Sequence, residues 1–320
     1  MNRKGRLVTR HPRRTLAAAG IILTLGGVPA GDPAPPTGEY QAVLDLAGGP
    51  LPFIVRVSGR GKSLRGELCN GSRCQPFSEV RLEGDSVRLE MADYAATIEA
   101  APRGDSLVGA YRNVGNRGPR VIPFRAARGK WKAQPAPGRW LGRWDATYFG
   151  DWGTSPRVFE LRNGPAGLEG TIISNSGDYG HFAGRVEGDS FRLAHFDGSF
   201  VYMLTGRLDG DTLRGTFHAG LRTQTNWMAA RSTGKPHLTP PTEVTAADTS
   251  GPFRFSFPDL DGRMVSERDP RFRGKVVVVD VFGTWCPTCH DAAPTLARLW
   301  RKYHARGLEI VGLAYEVTGD

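Results

Sequence analysis

The sequence carries four cysteines in two closely spaced pairs, and its chemistry is concentrated there. Cys286 and Cys289 enclose Pro287 and Thr288; Cys69 and Cys74 enclose Asn-Gly-Ser-Arg. A thiolate attacks a disulfide sulfur, and a second thiol one helical turn on can then displace the partner and leave both sulfurs of the pair oxidised. For Cys286 and Cys289 this needs Cys286 at a helix N-terminus, where unpaired N–H groups and the positive end of the helix dipole lower a thiol pKa. Cys286 is then the nucleophile and Cys289 the resolving thiol.

The flanking residues predict that position. Val276 to Phe282 is an apolar run interrupted only by Asp280 and ended by Gly283-Thr284, which reads as a strand buried on both faces. Pro287 suits a first helical turn, where its missing N–H is no loss. Leu296, Leu299, Trp300 and Tyr303 repeat at helical spacing, and Gly307 can end the helix. Leu308 to Ala314 reads as a second buried strand, so the order is strand, helix, strand, with the C-x-x-C pair at the first strand-to-helix turn. A carboxyl inside an apolar strand is expected to have a raised pKa and could act as a base; the plainer reading of Asp280 is a strand-end aspartate that bonds a backbone N–H.

Phe255 to Gly262, F-S-F-P-D-L-D-G, together with Gly274 to Cys289, G-K-V-V-V-V-D-V-F-G-T-W-C-P-T-C, and Pro294 resemble the TlpA-like extracytoplasmic thiol-disulfide oxidoreductases of the thioredoxin superfamily. The resemblance covers residues 253–320. It implies a first cysteine that attacks and a second that resolves, protein disulfides as substrates and a thiol protein as electron donor, with no metal or organic cofactor. It also matches Asp280 to a buried aspartate that takes or gives the proton of the second cysteine. Two departures stand out. Ala292, beside Asp291, occupies the position three beyond the second cysteine where such proteins often carry glutamate. No proline follows Pro294, so the cis-proline loop and the second half of the domain are expected to be missing from this sequence, as in a fragment, a truncated product or a fold completed by another chain.

Cys286-Pro-Thr-Cys289-His290 also spells C-x-x-C-H, the attachment signature of a c-type haem. The preceding strand, Trp285 and Pro287 fit the redox motif and have no role in haem attachment. His290 then reads as an exposed first-turn residue that favours the Cys286 thiolate when protonated. Zinc lacks a second Cys/His cluster to complete four ligands.

Residues 1–30 have the three parts of a secretory signal peptide, with Arg3 to Arg14 basic, Leu16 to Val28 apolar, and small residues up to Ala30. Export to a periplasmic or otherwise extracytoplasmic compartment suits a C-x-x-C pair, and membrane contact follows only if the segment stays uncleaved. Six of the 42 basic residues and none of the 32 acidic ones lie in this segment, leaving 36 against 32, a net +4. Arginine is scattered along strands and not clustered with aromatics, so no nucleic-acid partner is indicated.

Residues 38–232 carry an internal repeat. Gly38-Glu-Tyr-Gln-Ala aligns with Gly142-Arg-Trp-Asp-Ala, Leu64-Arg-Gly-Glu-Leu with Leu168-Glu-Gly-Thr-Ile, and Arg81 to Leu89 with Arg185 to Leu193, all at one offset. Alternating apolar residues and Gly-Asp turns predict two all-β copies of about eight strands, each a small barrel or sandwich or both fused. Trp144, Tyr148, Phe149 and Trp152 are core or ligand-lining. Cys69 and Cys74 align with Ile173 and Asp178, so the pair is an addition to the module, expected as a local structural disulfide across an Asn-Gly turn, with a second redox pair as the sharper alternative. His181 and His195 read as isolated surface or packing residues.

The expected organisation is a signal peptide at 1–30, β repeats at 38–129 and 138–232, a Pro-rich linker at 233–250, and the N-terminal half of an α/β thioredoxin-like fold at 251–320. The expected function is that of an exported thiol-disulfide oxidoreductase acting on protein disulfides. The alternatives are a binding or adaptor protein that acts through its β repeats with an inactive redox module and, more weakly supported, a thiol peroxidase.

Overall fold

The computed structural model describes residues 36–115, 118–132, 134–151, 153–165, 167–246, 248–284 and 286–315. Residues 1–30, where the signal peptide is expected, Trp152 and Trp285 lie outside them. Alternation of inward apolar and outward polar residues builds two antiparallel β bodies. The first comprises β1 (Gly38–Leu46), β2 (Gly49–Ser58), β3 (Arg65–Asn70), β4 (Arg73–Pro76), β5 (Glu79–Glu83), β6 (Ser86–Met91), β7 (Ala96–Arg103), β8 (Ser106–Gly115) and β9 (Gly118–Arg128). They form one nine-stranded sheet that wraps round through β1–β9 pairing and stays open between β4 and β5. At that break Phe77 and Ser78 donate their backbone N–H groups to Gly66 and Glu90 instead of continuing a ladder.

The second body is a closed eight-stranded barrel of β10 (Gly142–Gly150), β11 (Gly153–Gly164), β12 (Gly167–Ser174), β13 (Gly177–Glu187), β14 (Ser190–Phe196), β15 (Val201–Asp209), β16 (Thr212–Ala219) and β17 (Thr223–Arg231). β10, β13 and β14 begin 104 residues after β1, β4 and β6. β13 is one unbroken strand across positions that β4 and β5 share, which is why the first body has nine strands and the second eight.

Trp144 and Tyr148 are buried in the barrel core with Phe159 and Trp227, whereas Phe149 is exposed. The first body's core is completed by barrel residues. Ala194, Phe196, Val201 and Met203, on the outer face of β14 and β15, are buried in one cluster with Phe53, Tyr111 and Phe124. The Phe196 ring lies 5.0 Å from both Phe53 and Tyr111 in edge-on contact. Side chains from the barrel's outer face therefore complete the first body's core, where β13, β14 and β15 pack on β2 and β3.

After β17 the chain runs along the barrel, where His237 Nε2 donates to the Ala146 carbonyl at 2.8 Å and Thr239 N donates to Asn175 Oδ1 at 3.0 Å. The short helix α1 (Pro241–Val244) follows. The C-terminal segment has a hairpin of β18 (Ser256–Pro258) and β19 (Met264–Ser266), then β20 (Val276–Phe282), α2 (Pro287–Tyr303) and β21 (Leu308–Ala314). β20 and β21 pair in parallel, Val276 with Leu308 through Phe282 with Ala314.

The expectation of strands buried on both faces is corrected here. No residue of β20 or β21 is buried, and Val276 and Val281 are 68% and 65% exposed. Among the described residues α2 is the helix packed on this pair, and one helix covers one face. No described helix is long and apolar enough to cross a membrane.

Candidate functional site

β20 delivers the chain to Gly283, and the turn closes when Cys286 N donates to the Gly283 carbonyl at 3.0 Å. Cys286 is the N-cap of α2, with extended backbone, and the first turn then winds on its carbonyl, which accepts from Cys289 N at 3.1 Å and His290 N at 3.2 Å. Its sulfur also accepts from Cys289 N at 3.3 Å and lies 3.4 Å from Thr288 Oγ1. No acidic residue stands in this first turn to oppose the helix dipole. Cys286 and Cys289 are joined as a disulfide with Cα atoms 5.2 Å apart, and both are half-buried. On reduction, the same N–H group and dipole favour the Cys286 thiolate.

His290 departs from expectation. It is half-buried, its Nε2 donates to the Thr284 carbonyl at 2.7 Å, and its ring stands edge-on to Tyr94 with centroids 5.1 Å apart. Tyr94 ends the turn between β6 and β7, and the next residue, Ala95, has φ 45°, a left-handed conformation that a non-glycine residue adopts only under constraint. Burial raises the Tyr94 phenol pKa, with the Asp197, Asp291 and Asp93 charges adding to it, so the hydroxyl stays protonated. Nothing local in Met91-Ala-Asp-Tyr-Ala marks Tyr94 as a contact of the redox turn.

Asp280 sits half-buried on β20 opposite Gly312 and, among the described residues, makes no side-chain hydrogen bond or ion pair. Pro287 is the first residue of α2, and Pro294 lies inside it.

Cys69 and Cys74 are joined as a disulfide directly across the β3–β4 pair, and Ile173 and Asp178 face each other across β12–β13. The turn itself is Gly71-Ser72, Asn70 being the last strand residue. This hairpin docks on the barrel. Ser72 N and Oγ donate to the two carboxylate oxygens of Glu169 at 3.0 and 2.6 Å, and His181 Nε2 lies 3.2 Å from Glu169. Glu169 is fully buried. His181 is thus no isolated residue; burial lowers its pKa, outweighing the pull of Glu169. His195 is buried too, 3.4 Å from Asp197. Sequence reading missed this cluster because Ser72 reaches the Glu169–His181 pair from a turn 97 positions away from Glu169. Glu67, Cys69 and Cys74 have the spacing of a metal-donor group, but sulfurs held in a disulfide are not ligands.

Comparison with known proteins agrees with this geometry. A model of the AhpC/TSA family matches residues 251–318. The thiol-disulfide oxidoreductase ResA of Bacillus thuringiensis subsp. konkukian is 36% identical over 64 residues, which are 20% of this chain and 36% of that protein. The thiol:disulfide interchange protein DsbE of Pseudomonas aeruginosa is 35% identical over 79 residues, 24% of this chain and 41% of the relative. The chain thus spans well under half the length of these curated relatives, and the β bodies lie outside the matched part. With a C-x-x-C disulfide at the N-terminus of a helix between parallel strands, residues 251–318 are a thioredoxin-superfamily segment of the TlpA-like oxidoreductase kind.

Proposed function

We propose that this chain exchanges disulfides with protein substrates through Cys286 and Cys289. The observation that carries the proposal is the Cys286 sulfur at the α2 N-cap, taking the Cys289 N–H. The Cys286 thiolate attacks one sulfur of a substrate disulfide, forming a mixed disulfide and releasing the other sulfur as a thiolate. Cys289 gives up its proton and attacks the Cys286 sulfur, so the substrate leaves with two electrons and two protons gained and the pair closes to the disulfide. A donor dithiol protein reverses that closure. Asp280 is the proposed proton acceptor for Cys289. The test is trapping with a disulfide-bonded protein substrate. Cys289→Ser accumulates the mixed disulfide at Cys286, and Cys286→Ser accumulates none; equal trapping by both variants overturns the assignment.

The β portion is read as two copies of one module, 38–129 and 138–232, exported behind the segment 1–30 and joined to the redox segment by 233–250. A second reading, that these bodies bind a partner, is favoured by a cleft of about 720 Å³ between them, lined by Trp131, Arg185, Arg192, Arg207 and Arg214 among others. Partner capture that survives Cys286→Ser and fails in Arg192→Glu supports it.

A further inference from the structure

We infer that Cys69–Cys74 is a second thiol-disulfide exchange site, reduced by vicinal dithiols of the C-x-x-C class. Arg56 Nη1 lies 3.5 Å from the Cys69 sulfur and 3.4 Å from the Cys74 sulfur. The guanidinium is held by Glu39, 2.9 Å from Nε, and by Glu67, 3.8 Å from Nη1, whose charges offset part of its own at longer range. A cation in contact with a sulfur stabilises the thiolate, and a disulfide breaks faster when its leaving thiol has a lower pKa.

Access to the two sulfurs is unequal. Cys74 is exposed, whereas Cys69 is 0% exposed. An incoming thiolate therefore meets the Cys74 sulfur, and the Cys69 sulfur leaves beside Arg56. The hairpin is also braced without its disulfide. Asn70 exchanges hydrogen bonds with the Phe196 backbone at 2.7 and 3.0 Å, Ser72 binds Glu169, and Gln75 Nε2 donates to the Asp197 carbonyl at 2.5 Å. After cleavage both sulfurs keep their facing register, ready to close again. In the barrel the corresponding hairpin pairs with Ile173 opposite Asp178, so this architecture forms without a sulfur bridge.

The chemistry balances. One thiolate of the dithiol attacks the Cys74 sulfur, the S–S bond breaks, and its electron pair goes to the Cys69 sulfur. The second thiol of the reductant then attacks its own partner in the mixed disulfide and releases Cys74 as a thiolate. Cys69 and Cys74 gain two electrons and two protons, and the reductant becomes a disulfide.

The test uses the full chain with Cys286→Ser and Cys289→Ser, so that its failure is distinct from failure of the activity proposed for that pair. After reduction under native conditions with dithiothreitol as the dithiol, then acid quenching and alkylation in denaturant, intact mass is expected to show two adducts, with the circular dichroism of the reduced protein unchanged before the quench. Glutathione, a monothiol, is expected to attach at Cys74. Adding Arg56→Gln is expected to slow reduction about fivefold, since an opposite charge in contact shifts a pKa by roughly one unit or more, and Arg56→Lys to retain most of the rate. Resistance to dithiothreitol until the protein unfolds, glutathione found on Cys69, or an unchanged rate in folded Arg56→Gln overturns the inference. If Arg56→Gln fails to fold, the glutathione position and the Arg56→Lys rate decide.

Discussion

At the scale of single residues, what the sequence discloses depends on how far apart the partners lie. The C-x-x-C pair and its strand-to-helix setting are legible because the residues that shape Cys286 lie within a few positions of it. Glu169 is the opposite case. Ser72 reaches it across 97 positions, and no feature of Leu168-Glu-Gly-Thr-Ile announces a carboxylate enclosed by another module's hairpin. Glu169→Ala is expected to destabilise the protein by about 3 kcal/mol, the order seen when one member of a buried polar cluster is removed and its partners are left unsatisfied. Urea unfolding measures it. His181 adds a pH signature. Its folded pKa lies below the unfolded value near 6.5, so its contribution is fully present above that pH and is lost as the pH falls through the folded pKa. The melting temperature is expected to fall below pH 6.5 and to fall less in His181→Gln.

At the scale of elements, strand, helix and strand around the redox pair have the bounds their sequence patterns suggest, and the burial of the strands does not. An apolar run reports that a strand can be covered on both faces, not that layers are present on both. Val281→Thr is therefore expected to change stability by less than about 0.5 kcal/mol, as for an exposed site; a loss near 2 kcal/mol in thermal unfolding requires a covering layer. The β3–β4 hairpin is under tighter control. Gly71 has φ +57°, and a Cβ there comes 2.4 Å from Glu169 Oε1 and 2.7 Å from the Ala183 Cβ. Gly71→Ala is expected to cost about 2 kcal/mol through backbone strain and displacement of Glu169, read as a lower urea midpoint.

At the scale of the whole molecule, the all-β character of both bodies was legible, and the ninth strand of the first body and the shared core were not. The Gly-Asp turns and alternating residues of each half mark out strands. Which body a side chain fills is a tertiary matter. A sign of it is present in β14, where Phe191 and Leu193 enter the barrel while Ala194 and Phe196 point the other way into the first body's core. In β14 both faces are in fact covered, one by the barrel core and the other by the first body. Phe196→Ala is expected to cost about 3 to 5 kcal/mol, with fluorescence and far-UV circular dichroism still reporting one transition because the two β bodies lose a common core.

Cys286 and Cys289 are proposed to act as one redox couple set at a helix N-terminus. The most direct test is an alkylation-and-mass titration in glutathione buffers, on the full chain carrying Cys69→Ser and Cys74→Ser. Both thiols are expected to disappear together at a single potential, with no species carrying one adduct at equilibrium. Two thiols that oxidise independently, each with the reactivity of free cysteine, would contradict it.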